Sequence, residues 1–414
     1  PNSHFVASRI PLPVSHRIEK RGRYEGDLGE HVGRSVPADT DWVSRQLAAT
    51  IVGDKAFLNN RFQVTCLDLT NGQTKWNQQL GGNHGSAHQW PMLAMRPLVS
   101  GDSVFCRRLT KSGTELVCCQ ASDGKIQWQQ QFEQVLVSDP FLLRGRLHIL
   151  STDQSTVGPT VLNLLTVQRE SGQVLSSSPV LKLFDAWQDA SVICQVAVRD
   201  AQFFVSTAGA VACCNAEGQT LWVRRREWTP AKLDSRYRDA RSWSVPVIFE
   251  DQLIVGQPES PTIDCLDLQT GRLIWQHVEP ELRRIIAPLG KSLLLETREG
   301  FKKISSETGR TIWLHSAADL LDGVIVGTSG SAEKTPSDNV DQPGRNTILA
   351  VRHVPNQDGR ANTAIPTLVW IDFETGHEFS RQRFPSLADR EARVGPFLVT
   401  KDRFFAFSGK NRKE

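Results

Sequence analysis

The side chains best suited to chemistry are the cysteines. Cys118-Cys119 and Cys213-Cys214 are adjacent pairs. A thiol pair can bridge, and a thiolate is both nucleophile and metal ligand. The sequence favours packing instead. Cys66 and Cys265 hold the same place in a repeated motif as Cys118. Adjacent strand residues also point to opposite faces, which suits burial of a small apolar side chain. A second candidate is Gly81-Gly-Asn-His84-Gly-Ser-Ala-His88-Gln-Trp90. On a helix, His84 and His88 would share a face and could grip a metal. The glycines and Pro91 predict a loop, no third ligand is near in sequence, and no metal is assigned. A third is the connection from Arg224 to Trp243, where Trp228, Arg236, Arg238, Arg241 and Trp243 mix arginine with aromatics. Such a mixture binds anions, stacks on rings or anchors a partner. No nucleophile elbow, P-loop, zincin helix or zinc-spaced cysteine set is present, so no catalytic residue is assigned.

These candidates must be placed by a scaffold, and the tryptophans reveal it. The chain has 414 residues, with eleven Trp against two Tyr. Five of them follow a glycine by four residues: Gly72/Trp76, Gly124/Trp128, Gly218/Trp222, Gly271/Trp275 and Gly309/Trp313. Two copies lack that Trp, at Gly172 and at Trp370-Ile-Asp-Phe-Glu-Thr-Gly376. The turns recur at roughly 51 residues, a period typical of propeller blades. Each copy alternates like a strand, turns on a glycine and continues as a second β-rich run, which is a hairpin. The Asp four residues before the glycine (Asp68, Asp267, Asp372) is read as a turn-former. A further hairpin precedes each copy, as in Pro140 to Ile149 and Pro246 to Val255. Four strands per repeat make an antiparallel blade, and blades stack radially into a ring.

Eight inner hairpins stand against seven outer ones. The expectation is therefore an all-β, eight-bladed β-propeller of four-stranded antiparallel blades. Residues 1–45 would close the last blade, and residues 46–414 would form the propeller, one domain in total. Seven blades is the alternative if the segment around Gly323 is an elaborated loop. The insertion from Thr328 to Asn346, poor in apolar residues, is expected to be a surface loop.

At these motifs the sequence resembles the pyrroloquinoline-quinone (PQQ) repeat propellers, whose blades carry Ala-x-Asp-x-x-Thr-Gly-x-x-x-Trp. The resemblance spans about residues 46 to 408. It implies that each repeat Trp docks on the neighbouring blade, making Trp76, Trp128, Trp222, Trp275 and Trp313, with Gly72, Gly124, Gly218, Gly271 and Gly309, the structural locks. The family includes quinoprotein dehydrogenases, some with a vicinal disulfide against the cofactor, and a propeller lipoprotein of outer-membrane barrel assembly. Fold alone does not choose among these.

Bulk properties narrow the choice. A net charge of +3 is too small to point to nucleic acid or a membrane surface, and no nucleic-acid partner is expected. No apolar run reaches about eighteen residues, so no transmembrane helix is expected. The chain starts at Pro1 without Met and is read as a processed product or a piece of a longer protein. The leading expectation is a non-catalytic scaffold, favoured as a monomer. It binds a protein or peptide through interblade loops or the central funnel, with no cofactor. The alternatives are a PQQ-dependent, calcium-requiring dehydrogenase and a sensor domain of a larger protein. The resemblance alone suggests a periplasmic or other extracytoplasmic setting. Loops running from an outer strand to the next inner strand emerge on one face. The binding site is expected there, from His84, His88, Trp90, Asp185, Trp187, Asp189, Trp228, Arg236, Arg238, Arg241, Trp243, Arg283 and Arg284.

Overall fold

The structure is a computed structural model. It describes residues 48–59, 63–80, 96–110, 113–152, 160–183, 194–207, 209–225, 244–256, 260–316, 320–327, 347–355, 364–383, 392–399 and 404–410. Blade 1 comprises β1 (Ala48–Val52), β2 (Lys55–Asn59), β3 (Gln63–Asp68) and β4 (Thr74–Gln79). Blade 2 comprises β5 (Leu98–Ser100), β6 (Ser103–Thr110), β7 (Gly113–Gln120) and β8 (Ile126–Gln131). Blade 3 adds a short strand, β9 (Val135–Leu136), to β10 (Phe141–Leu143), β11 (Arg146–Thr152), β12 (Val161–Val167) and β13 (Val174–Lys182). Blade 4 is β14 (Gln195–Arg199), β15 (Gln202–Thr207), β16 (Ala210–Asn215) and β17 (Thr220–Arg225). Blade 5 is β18 (Val247–Phe249), β19 (Gln252–Gly256), β20 (Thr262–Asp267) and β21 (Leu273–Val278). Blade 6 is β22 (Leu282–Leu289), β23 (Ser292–Thr297), β24 (Gly300–Ser305) and β25 (Thr311–Ser316). Blade 7 is β26 (Leu320–Gly327), β27 (Thr347–Pro355), β28 (Ala364–Asp372) and β29 (Glu378–Arg383). The strands of each blade pair antiparallel in chain order. First strands of successive blades touch, as β10 with β14, β14 with β18 and β18 with β22, which sets them round a common axis.

The blade count corrects the expectation. Among the described residues seven four-stranded blades are present, and not eight. The eighth sheet has two strands, β30 (Ala392–Val399) and β31 (Phe404–Lys410), and no outer pair among the described residues. The segment expected to supply that pair, residues 1–45, lies outside the described residues, as does the insertion from Thr328 to Asn346. The reason given for seven is also not the one that applies. Gly323 lies within β26, the first strand of a four-stranded blade, in the stretch where its register with β27 slips.

The repeat turn is built as its residues dictate. In blade 5, Gly271 N donates to Asp267 O at 2.9 Å and Asp267 N to Arg272 O at 2.8 Å. The Asp267 carboxylate accepts Thr270 N at 2.8 Å and Thr270 Oγ1 at 2.7 Å. Asp68 and Asp372 do the same with Thr70 and Thr375. The hydrogen bonds from Thr70 hold the Asp68 carboxyl down to about 2.

Each tryptophan then reaches one blade forward. Trp76 Nε1 donates to Ala121 O, Trp128 to Arg169 O, Trp222 to Leu268 O, Trp275 to Ser306 O and Trp313 to Phe373 O, at 2.7 to 3.0 Å. The rings lie on Gly124, Gly172, Gly271, Gly309 and Gly376 of the following blade. The repeat glycine thus meets two demands. It holds positive φ, +68° at Gly309, and any Cβ there would fall 2.6 Å from Cε3 of Trp275. Blade 3 has no Trp at this position, and Gly218 instead meets Ser178 and Leu164.

Cross-strand register explains the cysteines. Cys66, Cys118, Cys213 and Cys265 stand directly opposite Trp76, Trp128, Trp222 and Trp275. A small side chain fits beneath the indole. Immediately after this pair the ladder slips by one residue in each of these blades, so the residue before the Trp is the extra one of a β-bulge. The same slip recurs in blades 3, 6 and 7. Blade 6 replaces the cysteine with buried Lys303. Its ammonium lies 2.6 Å from a Glu374 carboxylate oxygen and over the Phe373 ring, both in the next blade.

The two vicinal pairs are split between separate cores. Cys118 packs with Phe105, Trp128 and Leu147, between blades 2 and 3, whereas Cys119 packs with Val64, Trp76 and Val104, between blades 1 and 2. Cys213 and Cys214 divide in the same way. All eight cysteines are free and buried. Burial pushes the thiols up, to about 11 at Cys118 and about 12 at Cys119 and Cys214. The native protein is therefore expected to resist alkylation at neutral pH, and its intact mass should not change on reduction. A gain of two hydrogens per pair would show a bridge instead.

Candidate functional site

Of the thirteen residues expected on the loop face, Arg283 and Arg284 are described. His84, His88, Trp90, Asp185, Trp187, Asp189, Trp228, Arg236, Arg238, Arg241 and Trp243 lie outside the described residues. Arg283 and Arg284 begin β22, where the chain enters blade 6. Arg284 Nε donates to Glu296 Oε2 at 2.6 Å, and Arg283 Nη1 lies 3.7 Å from Glu296 Oε1. Glu296 on β23 is 1% exposed and is the direct cross-strand partner of Arg284. Both guanidinium groups thus serve a buried carboxylate of their own blade.

Two more buried carboxylates share this end of the blades. Glu279, in the short connection from β21 to β22, accepts a hydrogen bond from Lys302 Nζ and lies 3.5 Å from His277 Nε2. Burial works against this carboxylate, but the nearby His277 and the hydrogen bond from Lys302 outweigh it and hold its pKa down. Asp264 on β20 accepts from Gln276 Nε2 at 3.0 Å and Thr262 Oγ1 at 3.2 Å, with Arg224 of blade 4 at 3.9 Å. Carboxylates and cations therefore alternate from blade 4 to blade 6. A buried charge is tolerated only when so paired. Sequence reading missed all three acids, because each sits in a strand end or tight turn with no motif of its own.

A cavity of about 210 Å³ lies among the first strands of blades 1 to 5, lined by Thr50, Leu98, Asp139, Phe141 and Val196 among others. Asp139 Oδ1 accepts the Arg96 backbone N–H at 3.1 Å, and burial pushes its carboxyl up. Arg107, 6% exposed, donates from Nη1 to Leu136 O at 2.6 Å. Among the described residues, no three His, Cys, Asp or Glu side chains are grouped to hold a metal. No described helix is long and apolar enough to cross a membrane.

Comparison with known families decides the affiliation. Residues 30–112 and 107–313 match the family model described as outer membrane protein assembly factor BamB. The chain belongs to this family. A curated BamB from Yersinia pestis is 22% identical over 334 residues, covering 76% of this chain and 75% of that protein. The crystal structure of BamB from Moraxella catarrhalis superposes with a TM-score of 0.54 at 13% identity, over 89% of this chain and 92% of that one. The computationally designed Ika8 protein gives 0.52 at 11% identity, over 89% and 94%. At such identities the structural likenesses speak for the fold alone. The BamB affiliation accords with the PQQ-type repeat read from the glycine and tryptophan spacing.

Proposed function

We propose that the chain is a non-catalytic propeller scaffold that binds a protein or peptide partner on the face of its outer-to-inner loops or at its central funnel. The observation that carries this is the match of residues 30–313 to a family of assembly factors. The internal pairing of Arg284, Lys302 and their carboxylates supports it, because those charges stabilise blades and are committed there. We place the protein outside the cytoplasm, in the periplasm, on the strength of the same affiliation. The partner contacts fall to the loop residues His84, His88, Trp90, Asp185, Trp187, Asp189, Trp228, Arg236, Arg238, Arg241 and Trp243.

Two measurements test this reading. Titration with PQQ and Ca²⁺ is expected to leave the melting temperature and absorbance unchanged. A ligand that binds only the folded state must raise the melting point, so a shift with a stoichiometric quinone spectrum would favour the dehydrogenase alternative. Cross-linking in a cell-envelope extract is expected to capture a partner that the Arg236→Glu/Arg238→Glu/Arg241→Glu variant loses. Equal capture by that variant removes the loop from the binding face.

A further inference from the structure

The bulge at each outermost strand exposes one side chain, the residue just before the repeat Trp position. In blades 1 and 2 it is Lys75 and Gln127. In blades 3 to 7 it is Leu175, Leu221, Ile274, Ile312 and Phe379, each 44% to 57% exposed. Scattered exposed apolar residues are ordinary, but here one register position is apolar and exposed on five consecutive blades. Val223, Val278 and Leu314 on the same strands are exposed as well.

The charge on these strands is predominantly cationic. Lys182, Arg225, Arg381 and Arg383 are exposed on β13, β17 and β29. The single carboxylate among the described residues of the five outermost strands is Glu378, which lies 2.7 Å from Arg381. Backbone pairing is not what this rim offers best. A bulge interrupts the row of edge N–H and C=O groups that an added strand would need. The side chains are the recognition element, apolar in the middle and cationic beside it.

We propose that the outer rim of blades 3 to 7 docks an amphipathic segment of a partner protein in which apolar residues are flanked by carboxylates. Charge complementarity selects the acidic partner, and the exposed apolar side chains of the rim supply the buried area. This surface is separate from the loop face, so the two readings stand or fall independently.

Fluorescence anisotropy with the whole chain tests it, using a short labelled peptide of alternating leucine and glutamate. Leucine–lysine and serine–glutamate peptides are the controls. The leucine–glutamate peptide is expected to bind and the controls to bind at least about tenfold more weakly. The variant Leu221→Ser/Ile274→Ser/Ile312→Ser/Phe379→Ser should lose about tenfold or more in affinity while keeping its unfolding midpoint. Lys75→Ser/Gln127→Ser should bind as the parent does. No binding of the leucine–glutamate peptide, equal binding of the leucine–lysine peptide, or full affinity in the four-serine variant would each overturn the proposal.

Discussion

Trp275→Ala is expected to destabilise the protein by about 3–5 kcal/mol, the usual cost of emptying a large aromatic site. Trp275 is 8% exposed, its Nε1–H is bonded to Ser306 O at 2.7 Å, and its ring covers Gly309. Full burial of such a ring removes about 150–250 Å² from water. The partner change, Gly309→Ala, should cost more than about 1 kcal/mol, because φ is +68° and the new methyl meets the ring. The double variant makes the contact itself visible. With the ring gone, the methyl has room, so the two losses should sum to more than the double variant shows, by about 0.5 kcal/mol or more. Denaturant unfolding of the four proteins measures this. Strict additivity would mean that the ring and the glycine do not meet. Ile312→Ser, on the exposed rim, serves as a control expected within about 0.5 kcal/mol of the parent.

Acid should weaken the fold through His148. This residue is 1% exposed on β11, stacked on Phe141 at 5.7 Å, with Nδ1 3.3 Å from Thr166 Oγ1. Burial, which disfavours the imidazolium, brings its pKa down from 6.5 to about 4. The unfolded chain therefore takes up a proton below pH 6.5 that the folded chain refuses until about pH 4. Stability contributed by the neutral ring is complete above that window and is lost as the pH falls through it. The full loss is about 3 kcal/mol. His148→Leu should flatten that part of the profile of unfolding free energy against pH. Parallel profiles for parent and variant would show that His148 does not titrate differently in the two states.

The ring of blades was legible because its lock is written in two residue types at fixed spacing. Glycine is needed for the turn, tryptophan for the reach, and both recur. Cys66, Cys118 and Cys265 were legible for the same reason: they occupy one repeat position, which faces the indole across the ladder. The bulge was not legible, because an extra ladder residue leaves the composition unchanged. Lys303 was hidden too, since a lysine at a cysteine position gives no sign of the Glu374 that neutralises it from the next blade. The role of Arg284 was hidden for the same reason as the bulge. Pairing outward from the tip at Leu289 and Ser292 would set Arg284 opposite Thr297, and only the register shift between Ile285 and Ala287 brings Glu296 to face it. Most of the loop residues expected to bind a partner have no periodicity to place them, and sequence named them by type alone.

The forward reach of each tryptophan gives the ring a direction. Every blade of this type carries a plug on one side and a socket on the other, and all the plugs point the same way round. A blade inserted between two others would find both halves of its joint already waiting. A blade removed would leave a plug facing a matching socket. The circumference of such a ring can therefore change by whole units without any new interface being invented. The junction from blade 3 to blade 4 departs from this rule, because Gly218 rests on Ser178 and Leu164 in place of an indole. There the two neighbours are fitted to each other, and neither is interchangeable with the rest.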